Sequence, residues 1–352
     1  MRAAHPITGR PVRFALVGCG RISASHFDAI GRHAGRAELV AVCDTDPRAL
    51  QAATARTGAP GFDSLDALLH GAQADVVALA TPSGLHPRQA IAVARAGRHV
   101  LTEKPMATKW DEGMAMVREC REAGVKLFVV KQNRLNATMQ LLKAAIDCGR
   151  FGRVYMVNVN VFWTRPQSYY DDAPWRGRWD MDGGAFLNQA SHYVDMVDWL
   201  VGPVDSVHAY TATLARAIEA EDTGVMSLRL RHGGLASITV TMLTHGKNFE
   251  GSITVLGERG TVRVGGVAVN RIEHWEFADP RPEDEQVRSA NYAPPSVYGF
   301  GHPLYYANVI DTLRGEAEAQ VDGYEGLRSL EVVIAAYRSA RDGVRVGLPL
   351  VF

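Results

Sequence analysis

Three polar side chains with the potential for chemistry are spaced for one face of a helix. Asn188, His192 and Asp195 fall at i, i+4 and i+7, so a helix would place them one turn above another. A histidine in such a row can accept a proton or bind a hydroxyl group, and a neighbouring amide can orient it. The same spacing also fits a solvated helix face that has no chemical role.

The helix that must position this row also carries an apolar stripe. Its apolar residues recur three and four positions apart, which is the spacing of one buried helix face. We therefore predict one continuous helix that packs against a core and follows the Gly183-Gly184 turn. The stripe consists of Leu187, Ala190, Val194, Val197 and Val201.

A second chemical motif lies near the N-terminus, where the apolar run Val12–Val17 ends in Gly18-Cys19-Gly20. A buried strand, a helix and a second strand ending at Asp44 predict one βαβ unit. In such a unit, Gly18 permits the tight turn, Gly20 lets the backbone approach a pyrophosphate, and the helix N-terminus binds the anion. Asp44 can then accept hydrogen bonds from ribose hydroxyls. The pattern predicts dinucleotide binding.

Two details refine this prediction. The third glycine position of the motif holds Ser23, a small residue that packs less closely than glycine. Asp44 is followed by Thr45 and Asp46, with no adjacent Arg or Lys to bind a 2′-phosphate, so we predict NAD rather than NADP. The alternative is an ordinary α/β turn with a surface aspartate.

Strands and helices continue to alternate after Asp44. The strand Ala74–Ala80 ends in Thr81–His86, and the strand His99–Thr102 leads into Glu103-Lys104-Pro105. This alternation predicts an α/β fold with a doubly wound parallel sheet of the Rossmann type. Ligands bind such sheets beyond the carboxyl ends of the strands. The residues expected there are Gly18, Asp44, Thr81, His86 and Lys104.

The pattern changes after Asn133. The long alternating strand Val154–Trp163 and five shorter strands between Ser206 and Val264 predict a large, mostly antiparallel open sheet in a C-terminal α+β domain. We therefore divide the chain into an NAD-binding Rossmann domain, 1–133, and a substrate-binding and oligomerisation domain, 134–352. The charged segment Arg281–Pro295 is predicted to be a surface loop.

Composition excludes several classes of protein. Lys+Arg and Asp+Glu both number 38, which leaves no net charge for binding nucleic acid or an acidic membrane. No apolar run approaches the ~20 residues needed to span a bilayer, and residues 1–10 lack a signal-peptide pattern. The four cysteines lack C-x-x-C spacing, so we predict buried, reduced thiols, a cytoplasmic location and no metal site.

Taken together, these motifs resemble the Gfo/Idh/MocA family of sugar and polyol oxidoreductases. The most specific are Glu103-Lys104-Pro105 at a strand end and Gly183-Gly184 followed by His192. The resemblance implies catalytic roles for Lys104 and His192, and a C-terminal sheet that builds a homodimer or homotetramer. It also implies further contacts with NAD from Arg21, Ile22, Thr81, Pro82, Ser83, Leu85, His86, Glu103, Lys104 and Gln132.

A narrower resemblance rests on Lys131–Asn136, Leu187–Tyr193 and Gly246–Gly251. These segments look like those of bacterial UDP-N-acetylglucosaminuronate 3-dehydrogenases. That resemblance implies NAD-dependent oxidation of the sugar C3 hydroxyl to a 3-keto sugar during surface polysaccharide biosynthesis. Many family members have Asp at the position of Asn188. A neutral amide can orient a hydroxyl or His192, but it cannot accept a proton.

Oxidation of a secondary alcohol requires hydride transfer and removal of the hydroxyl proton, so a base should lie beside the reacting carbon. We predict Lys104 as the principal base, because partial burial and the positive nicotinamide ring lower the pKa of an amine. His192 is predicted to be its partner at the same hydroxyl. The alternative for Lys104 is an ion pair with Glu103.

A nucleotide sugar of this kind carries a diphosphate and a carboxylate, so the second domain must supply cations. Arg165, Arg176, Arg178 and Lys247 are the candidates, although each also fits a solvated rim or a subunit contact. Nearby aromatic residues could pack on uracil or sugar faces or in the core. The predicted substrate contacts are Lys104, Arg165, Tyr170, Asn188, His192 and Lys247.

Two other functions compete with this interpretation. Another sugar or inositol dehydrogenase of the family would retain Lys104 and His192 and differ in its pocket. A nonenzymatic NAD-binding regulator would be expected to lose one of these two residues. Both are present, which favours an enzyme.

Overall fold

Residues 6–293 and 300–350 are described by the computed structural model of the chain, and they divide into two units. The first unit contains the chain up to Lys131 together with His302–Leu327, and the second contains Gln132–Gly301 and the residues from Arg328 onward. The sequence-based division at residue 133 did not assign 302–327 to the first unit. Contacts such as that between the Tyr305 hydroxyl and the Val129 carbonyl, 2.7 Å, join this late segment to the early sheet.

The sheet of the first unit has six strands in the order β3-β2-β1-β4-β5-β6, and every pair is parallel. Its central strands are buried along nearly their whole length, as expected of a parallel sheet covered on both faces. The predicted doubly wound sheet is confirmed. The strands are β1 (Val12–Val17), β2 (Ala37–Cys43), β3 (Gly61–Phe62), β4 (Val76–Leu79), β5 (His99–Thr102) and β6 (Leu127–Val129).

Helices alternate with these strands, and local sequence explains several of their ends. The Asp46 carboxylate accepts a hydrogen bond from the Arg48 N–H, and Pro47 occupies the first turn of the helix that follows. Ser64 caps the next helix through the Ala67 N–H. The helices are α1 (Ser23–Gly31), α2 (Pro47–Thr57), α3 (Leu65–Gly71), α4 (His86–Arg95), α5 (Trp110–Glu122) and, late in the chain, α9 (Gly301–Leu313).

The second unit is built on an eight-stranded sheet in the order β13-β12-β11-β7-β10-β9-β8-β14. Among the strands of the described residues, only β7 and β10 pair in parallel, so the predicted mostly antiparallel sheet is confirmed. The strands Arg271–Phe277 and Val346–Gly347 were not predicted, because a bulge interrupts the alternation of the first and the second has only two residues. The strands are β7 (Val154–Phe162), β8 (Val204–Ala212), β9 (Thr223–Leu230), β10 (Leu235–Thr241), β11 (Glu250–Gly257), β12 (Gly260–Gly265), β13 (Arg271–Phe277) and β14 (Val346–Gly347).

Helices complete this unit. They are α6 (Ala137–Asp147), α7 (Gln167–Asp171), α8 (Ser191–Val201) and α10 (Gly323–Asp342), of which the part from Arg328 belongs to this unit. A 3-10 helix, Pro282–Ala290, occupies much of the predicted loop Arg281–Pro295, whose last two residues lie outside the described ones, as do residues 1–5.

Two general predictions can be compared with these elements. Within the described ranges, we find no helix whose length and apolar character would suit a bilayer span. All four thiols are free. Cys43 and Cys120 are buried, Cys19 is half-buried and Cys148 is exposed, so the prediction that each cysteine is buried is wrong at Cys148 and only partly met at Cys19. Cys148 follows the last residue of α6, where the helix end leaves it at the surface.

Candidate active site

The glycine turn after β1 has the geometry that a bound dinucleotide requires. Gly18 has a φ of +95°, and a Cβ there would lie 2.6 Å from the backbone of Ala80, so only glycine fits. A Cβ at Gly20 would meet no atom within 4 Å, which leaves its backbone open to a ligand. The Ser23 hydroxyl donates to the Gly20 carbonyl at 2.6 Å. Ser23 thus closes the turn at the third glycine position.

The carboxylate of Asp44 is fixed against this turn. One oxygen accepts from the Cys19 N–H at 2.7 Å and the other accepts from the Asp46 N–H at 2.8 Å. Each oxygen has a further lone pair with which to bind a ribose hydroxyl. The half-buried carboxylate and the open turn together fit NAD. Arg21 and Ile22 belong to the same turn, where Arg21 is exposed and Ile22 half-buried.

The segment Thr81–His86 follows β4, as predicted. Thr81 donates from its hydroxyl to the Gln89 side-chain oxygen at 2.6 Å, and Pro82, Ser83 and Leu85 form the turn before α4. His86 is buried, with its ring nitrogens 2.9 Å from the Thr81 carbonyl and 3.0 Å from the Pro105 carbonyl. Burial lowers the pKa of His86. His86 therefore ties this segment to the loop that carries Lys104, and its contact with NAD stays a prediction.

Lys104 is the one residue of His99–Thr108 that is not buried. The preceding Glu103 is buried, and its carboxylate accepts from the Lys104 backbone N–H at 3.1 Å. This contact fixes the start of the Lys104 loop beyond the end of β5. Lys104 is therefore the residue of this loop whose side chain a ligand can reach.

Two buried histidines share the other carboxylate oxygen of Glu103. Nε2 of His26 and Nε2 of His302 each lie 3.2 Å from Oε1, and the Tyr306 hydroxyl lies 2.8 Å from Nδ1 of His26. Burial by itself would raise the pKa of Glu103, but the hydrogen bonds from the two imidazoles outweigh it and hold that pKa well below its usual range. Burial lowers the pKa of His26.

His26, Glu103 and His302 are also of the types that bind divalent cations, and their ligand atoms lie within 4.8 Å of one another. A neutral His26 that accepts at Nδ1 from Tyr306, with Nε2 facing the Glu103 carboxylate, accounts for its two contacts without a metal ion. His302 is 199 residues from Glu103, so no spacing in the sequence could reveal this cluster.

In the second unit, the predicted continuous helix is wrong. Ala185–Gln189 forms a π-helix, and α8 begins separately at Ser191. Asn188 and His192 therefore lie on different helical segments, not one turn apart on the same face. All five residues of the predicted apolar stripe are buried, as expected. His192 and Asp195 are also buried, at 4% and 1% exposure, which excludes a solvated face.

His192 is held beside Gln132. The Gln132 side-chain nitrogen lies 3.3 Å from Nε2 of His192, and both side chains are buried. Gln132 belongs to a 3-10 turn, Gln132–Leu135, at the start of this unit. The sequence predicted Gln132 as a contact of NAD, which stays a prediction, while its contact with His192 was not predicted.

Asp195 forms a buried, bidentate ion pair that the sequence analysis missed. Its two carboxylate oxygens accept from Nε and Nη2 of Arg134 at 2.8 and 2.7 Å. The guanidinium also lies 5.6 Å from the centre of the Trp199 ring. Arg134 follows Gln132 by two residues, so the pair joins the turn that carries Gln132 to the helix that carries His192.

Asn188 is bound by a carboxylate. Its side-chain nitrogen donates to one oxygen of Asp182, and the other oxygen accepts from the Gly177 N–H at 2.8 Å. Asp182 is buried. The amide at position 188, where many family members have Asp, therefore supplies a donor that a carboxylate could not.

This contact predicts the effect of Asn188→Asp. Two carboxylates in contact disfavour each other's ionised form, so the pKa of the introduced carboxyl group is raised in the folded variant above its unfolded value. The cost is absent below the unfolded pKa and grows as the pH rises through the folded one. We expect the variant to lose at least about 1.4 kcal/mol of unfolding free energy at pH 8, which corresponds to a pKa raised by about one unit. The lost stability should return as the pH falls towards 4.

Urea unfolding across this pH range measures the effect. Asn188→Ala removes the same donor without adding a charge, so it should show a deficit that changes less with pH. Equal pH dependence of the two variants would contradict the role given to Asp182.

Three of the four predicted substrate cations fall into two groups. Nη1 of Arg165 contacts the Asn248 side-chain oxygen at 3.2 Å, which places Arg165 beside the exposed loop that carries Lys247. Arg178 is exposed and paired with Asp180 at 3.1 Å, as expected of a solvated rim. The fold thus brings Arg165 and the loop of Lys247 together, and it gives Arg178 another partner.

Of the four aromatic candidates, two are buried, Trp163 and Tyr170, and two are half-buried, Tyr169 and Trp175. Tyr170 is 6% exposed and packs edge-on against Tyr169, and burial raises the pKa of its hydroxyl. The Trp163 indole N–H donates to the Val267 carbonyl at 2.9 Å. Arg176 stacks over the Tyr169 ring at 4.2 Å. This packing leaves little of Tyr170 for a substrate to contact.

Two family models match the chain. Residues 12–131 match the oxidoreductase family's NAD-binding Rossmann fold, and residues 143–348 match its C-terminal alpha/beta domain. Both belong to the Gfo/Idh/MocA set.

Solved structures and curated relatives agree with these matches. The WlbA dehydrogenase from Bordetella pertussis, in complex with NADH and UDP-GlcNAcA, is 68% identical with a TM-score of 0.96, over 98% of this chain and 100% of that one. The WlbA dehydrogenase from Chromobacterium violaceum, in complex with the same two molecules, is 63% identical with a TM-score of 0.96, over 100% of both chains. An inositol 2-dehydrogenase from Rhizobium meliloti is 28% identical over 96% of this chain and 99% of that relative.

Proposed function

Because the chain belongs to the Gfo/Idh/MocA oxidoreductase family, with an NAD-binding Rossmann fold and a C-terminal alpha/beta domain, we propose that it oxidises UDP-N-acetylglucosaminuronate with NAD. The product of the proposed reaction is the 3-keto sugar, and its proposed role is in the biosynthesis of a surface polysaccharide. The observation that carries the proposal is identity of 68% and 63% along the whole chain to two dehydrogenases whose structures hold NADH and UDP-GlcNAcA.

Residues of the first unit would hold the cofactor, which when bound supplies the hydride acceptor. The backbone at Gly18 and Gly20 would face the pyrophosphate, and Asp44 would accept hydrogen bonds from a ribose. Lys104 is assigned as proton acceptor for the substrate hydroxyl, supported by its partial exposure at the end of a buried strand and loop. Glu103 and His86 fix the loop from which Lys104 projects.

Residues of the second unit would bind the sugar. His192 is assigned as the hydrogen-bond partner of the reacting hydroxyl, held in orientation by Gln132. Asn188 is assigned to orient the substrate, since its amide is itself fixed by Asp182. Arg165 and Lys247 are assigned to the diphosphate or carboxylate, supported by the contact between Arg165 and the loop of Lys247.

We expect turnover when the purified chain is incubated with NAD and UDP-N-acetylglucosaminuronate. Production of reduced nicotinamide would be followed with and without 2-oxoglutarate, which reveals whether NADH is recycled in place. UDP-glucuronate, UDP-N-acetylglucosamine and inositol serve as comparison substrates. Borodeuteride reduction of the product, with the deuterium located at C3, would identify the carbon oxidised. Silence towards UDP-N-acetylglucosaminuronate in both conditions, or a preference for inositol, would contradict the proposal.

We also propose that the chain assembles as a homodimer or homotetramer through the exposed face of the C-terminal sheet. Leu256, Met156 and Leu235 lie directly opposite one another on three adjacent strands and are exposed. Tyr210 and Val225 form a second exposed pair. An apolar sheet face of this kind favours a partner surface. A solution mass of one chain would contradict this.

A cytoplasmic location is proposed with it, supported by four thiols that form no disulfide. A secreted enzyme in culture fractionation would contradict it.

A further inference from the structure

The second unit contains a buried carboxylate that the assigned chemistry does not use. Glu221 is 2% exposed and lies just before β9. One carboxylate oxygen accepts from the Phe186 N–H at 2.8 Å and from the Tyr337 hydroxyl at 2.9 Å. The backbone carbonyl of Glu221 accepts from the Ala185 N–H at 2.9 Å. Both polar parts of this residue therefore contact the first residues of the π-helix.

Tyr337 of α10 extends this contact by one residue. Its hydroxyl oxygen accepts from the Leu187 N–H at 3.2 Å while its proton is donated to Glu221. Three consecutive N–H groups at the start of the π-helix thus end on Glu221 and Tyr337. The first N–H groups of a helix have no partner within it, and a negative charge beside them is favourable. The pair therefore fixes this end of the π-helix.

The glycine before the π-helix is fitted to the same carboxylate. A Cβ at Gly184 would lie 1.7 Å from Oε2 of Glu221, far inside van der Waals contact. Any other residue at 184 would push the carboxylate and the segment apart. The approach of the π-helix to Glu221 therefore depends on that glycine.

The π-helix in turn carries a candidate site residue. Asn188 is its fourth residue, and His192 is the second residue of the helix that follows. The neighbouring Asp222 has a different task, because its carboxylate accepts from the N–H groups of Leu214, Ala215 and Arg216. Two adjacent buried carboxylates thus hold two different segments, and only Glu221 holds the one that carries Asn188.

We propose that Glu221, assisted by Tyr337, is a positioning residue that holds the π-helix and thereby sets the orientation of Asn188 and His192. This role rests on the proposed function, since it concerns the residues assigned to the substrate. Glu221 itself touches no reacting atom.

The ionisation of Glu221 gives the proposal a distinctive signature. Burial raises its pKa to about 7, opposed by the hydrogen bonds from Phe186 and Tyr337 and assisted by the negative charge of Asp182. Asp182 and Tyr337 are the titratable groups that face it. The ionised carboxylate accepts the hydrogen bonds from Phe186 and Tyr337 more strongly than the neutral carboxyl group does. The π-helix should therefore be held best above pH 7.

The test compares Glu221→Gln with Asp222→Asn. We expect Glu221→Gln to lower kcat about ten-fold at pH 8, with little change in the KM for NAD, and to remove a group with a pKa near 7 from the kcat profile. Asp222→Asn, a neighbouring buried carboxylate that holds another loop, should lower thermal stability but leave the shape of that profile unchanged. Tyr337→Phe should lower kcat less than Glu221→Gln, because it keeps the ring and the carboxylate.

Stability provides a second readout with a definite sign. The raised pKa of Glu221 means that the folded chain binds more protons than the unfolded chain between about pH 4.5 and 7. This group's contribution to stability is therefore present below pH 4.5 and lost as the pH rises to 7. Glu221→Gln should gain stability relative to the parent chain over that range.

A third readout is independent of the substrate. In histidine-labelled protein, the His192 imidazole signal, assigned with His192→Gln, should shift in Glu221→Gln and stay in place in Asp222→Asn. This shift would be seen even if the parent chain did not oxidise UDP-N-acetylglucosaminuronate, so the two proposals can fail separately. A parental kcat profile in Glu221→Gln, or the same losses and signals in both variants, would overturn the positioning role.

Discussion

Replacement of Lys104 by methionine, or of His192 by alanine, should lower kcat by about 10²–10⁴-fold while NAD still binds. Methionine keeps the length and apolar stem of lysine but cannot accept a proton. Alanine removes the ring of His192 without adding a new polar group. These effects are expected because both side chains are assigned to the reacting hydroxyl and neither belongs to the glycine turn that is assigned to the dinucleotide.

The structure makes Lys104 well suited to this test. Its side chain is the accessible part of an otherwise buried stretch, so its loss leaves the packing of β5 and the following loop intact. The loop itself is held by Glu103 through the Lys104 backbone N–H, which methionine retains. A loss of turnover in this variant would therefore report the amine rather than the fold.

Matched controls separate chemistry from general damage. Lys109→Met removes an exposed lysine, paired with Glu112 at 2.9 Å, from the start of a neighbouring helix. His70→Ala removes an exposed histidine of α3. Both should retain near-parental kcat. Steady-state kinetics gives kcat and KM, and calorimetric titration gives the affinity for NAD. Near-normal turnover of the Lys104 or His192 variant would remove that residue from the mechanism.

Local sequence was enough to predict the dinucleotide turn. Gly18, Gly20 and Asp44 are fixed by the geometry of a strand that ends in a helix, and that geometry repeats wherever a βαβ unit occurs. The order of strands follows from the same rule, because parallel strands joined by helices admit few arrangements. The predicted site residues of the first unit therefore follow the carboxyl ends of the parallel strands, as the structure shows.

The partners of these residues could not be predicted in the same way. His302 lies 199 residues from Glu103, and Glu221 lies 35 residues from Phe186. No periodicity joins residues at such separations, since they meet only when distant segments pack together. His26 did leave a weak signal, because it is a polar residue on the buried face of α1.

The π-helix was missed for a different reason. Periodicity identifies a helix by the contrast between a buried face and an exposed one. Here the stretch from Ala185 to Asp198 is buried on nearly all sides. The pattern therefore predicts the buried stripe correctly but cannot distinguish a π-helix from an α-helix. A wide π turn, frequent at functional sites, leaves no trace in such a pattern.

Arg134→Met should lower the unfolding free energy by about 3–5 kcal/mol, because it strands the Asp195 carboxylate in the core. Both partners are almost fully buried and joined by two short hydrogen bonds. If one partner is removed, water cannot reach the remaining charge to take its place. Arg134→Lys should recover only part of the loss, since an ammonium cannot make the bidentate contact.

A double-mutant cycle tests whether the pair itself is responsible. The double variant Arg134→Met with Asp195→Leu removes both charges, so it should be more stable than Arg134→Met alone. Arg263→Met provides the comparison with a part-exposed ion pair to Glu250, for which we expect a loss of about 0–1 kcal/mol. Urea unfolding measures each value. Additive losses in the cycle would show that the two residues act separately.

The pair should also affect catalysis through the residues that it joins. Arg134 lies two residues after Gln132, and Asp195 lies three residues after His192, so the ion pair limits the movement of Gln132 against His192. In Arg134→Lys, which keeps a charge and more of the fold, kcat should fall. A parental kcat in a variant with lowered stability would show that the pair supports only the fold, and that Gln132 holds His192 without it.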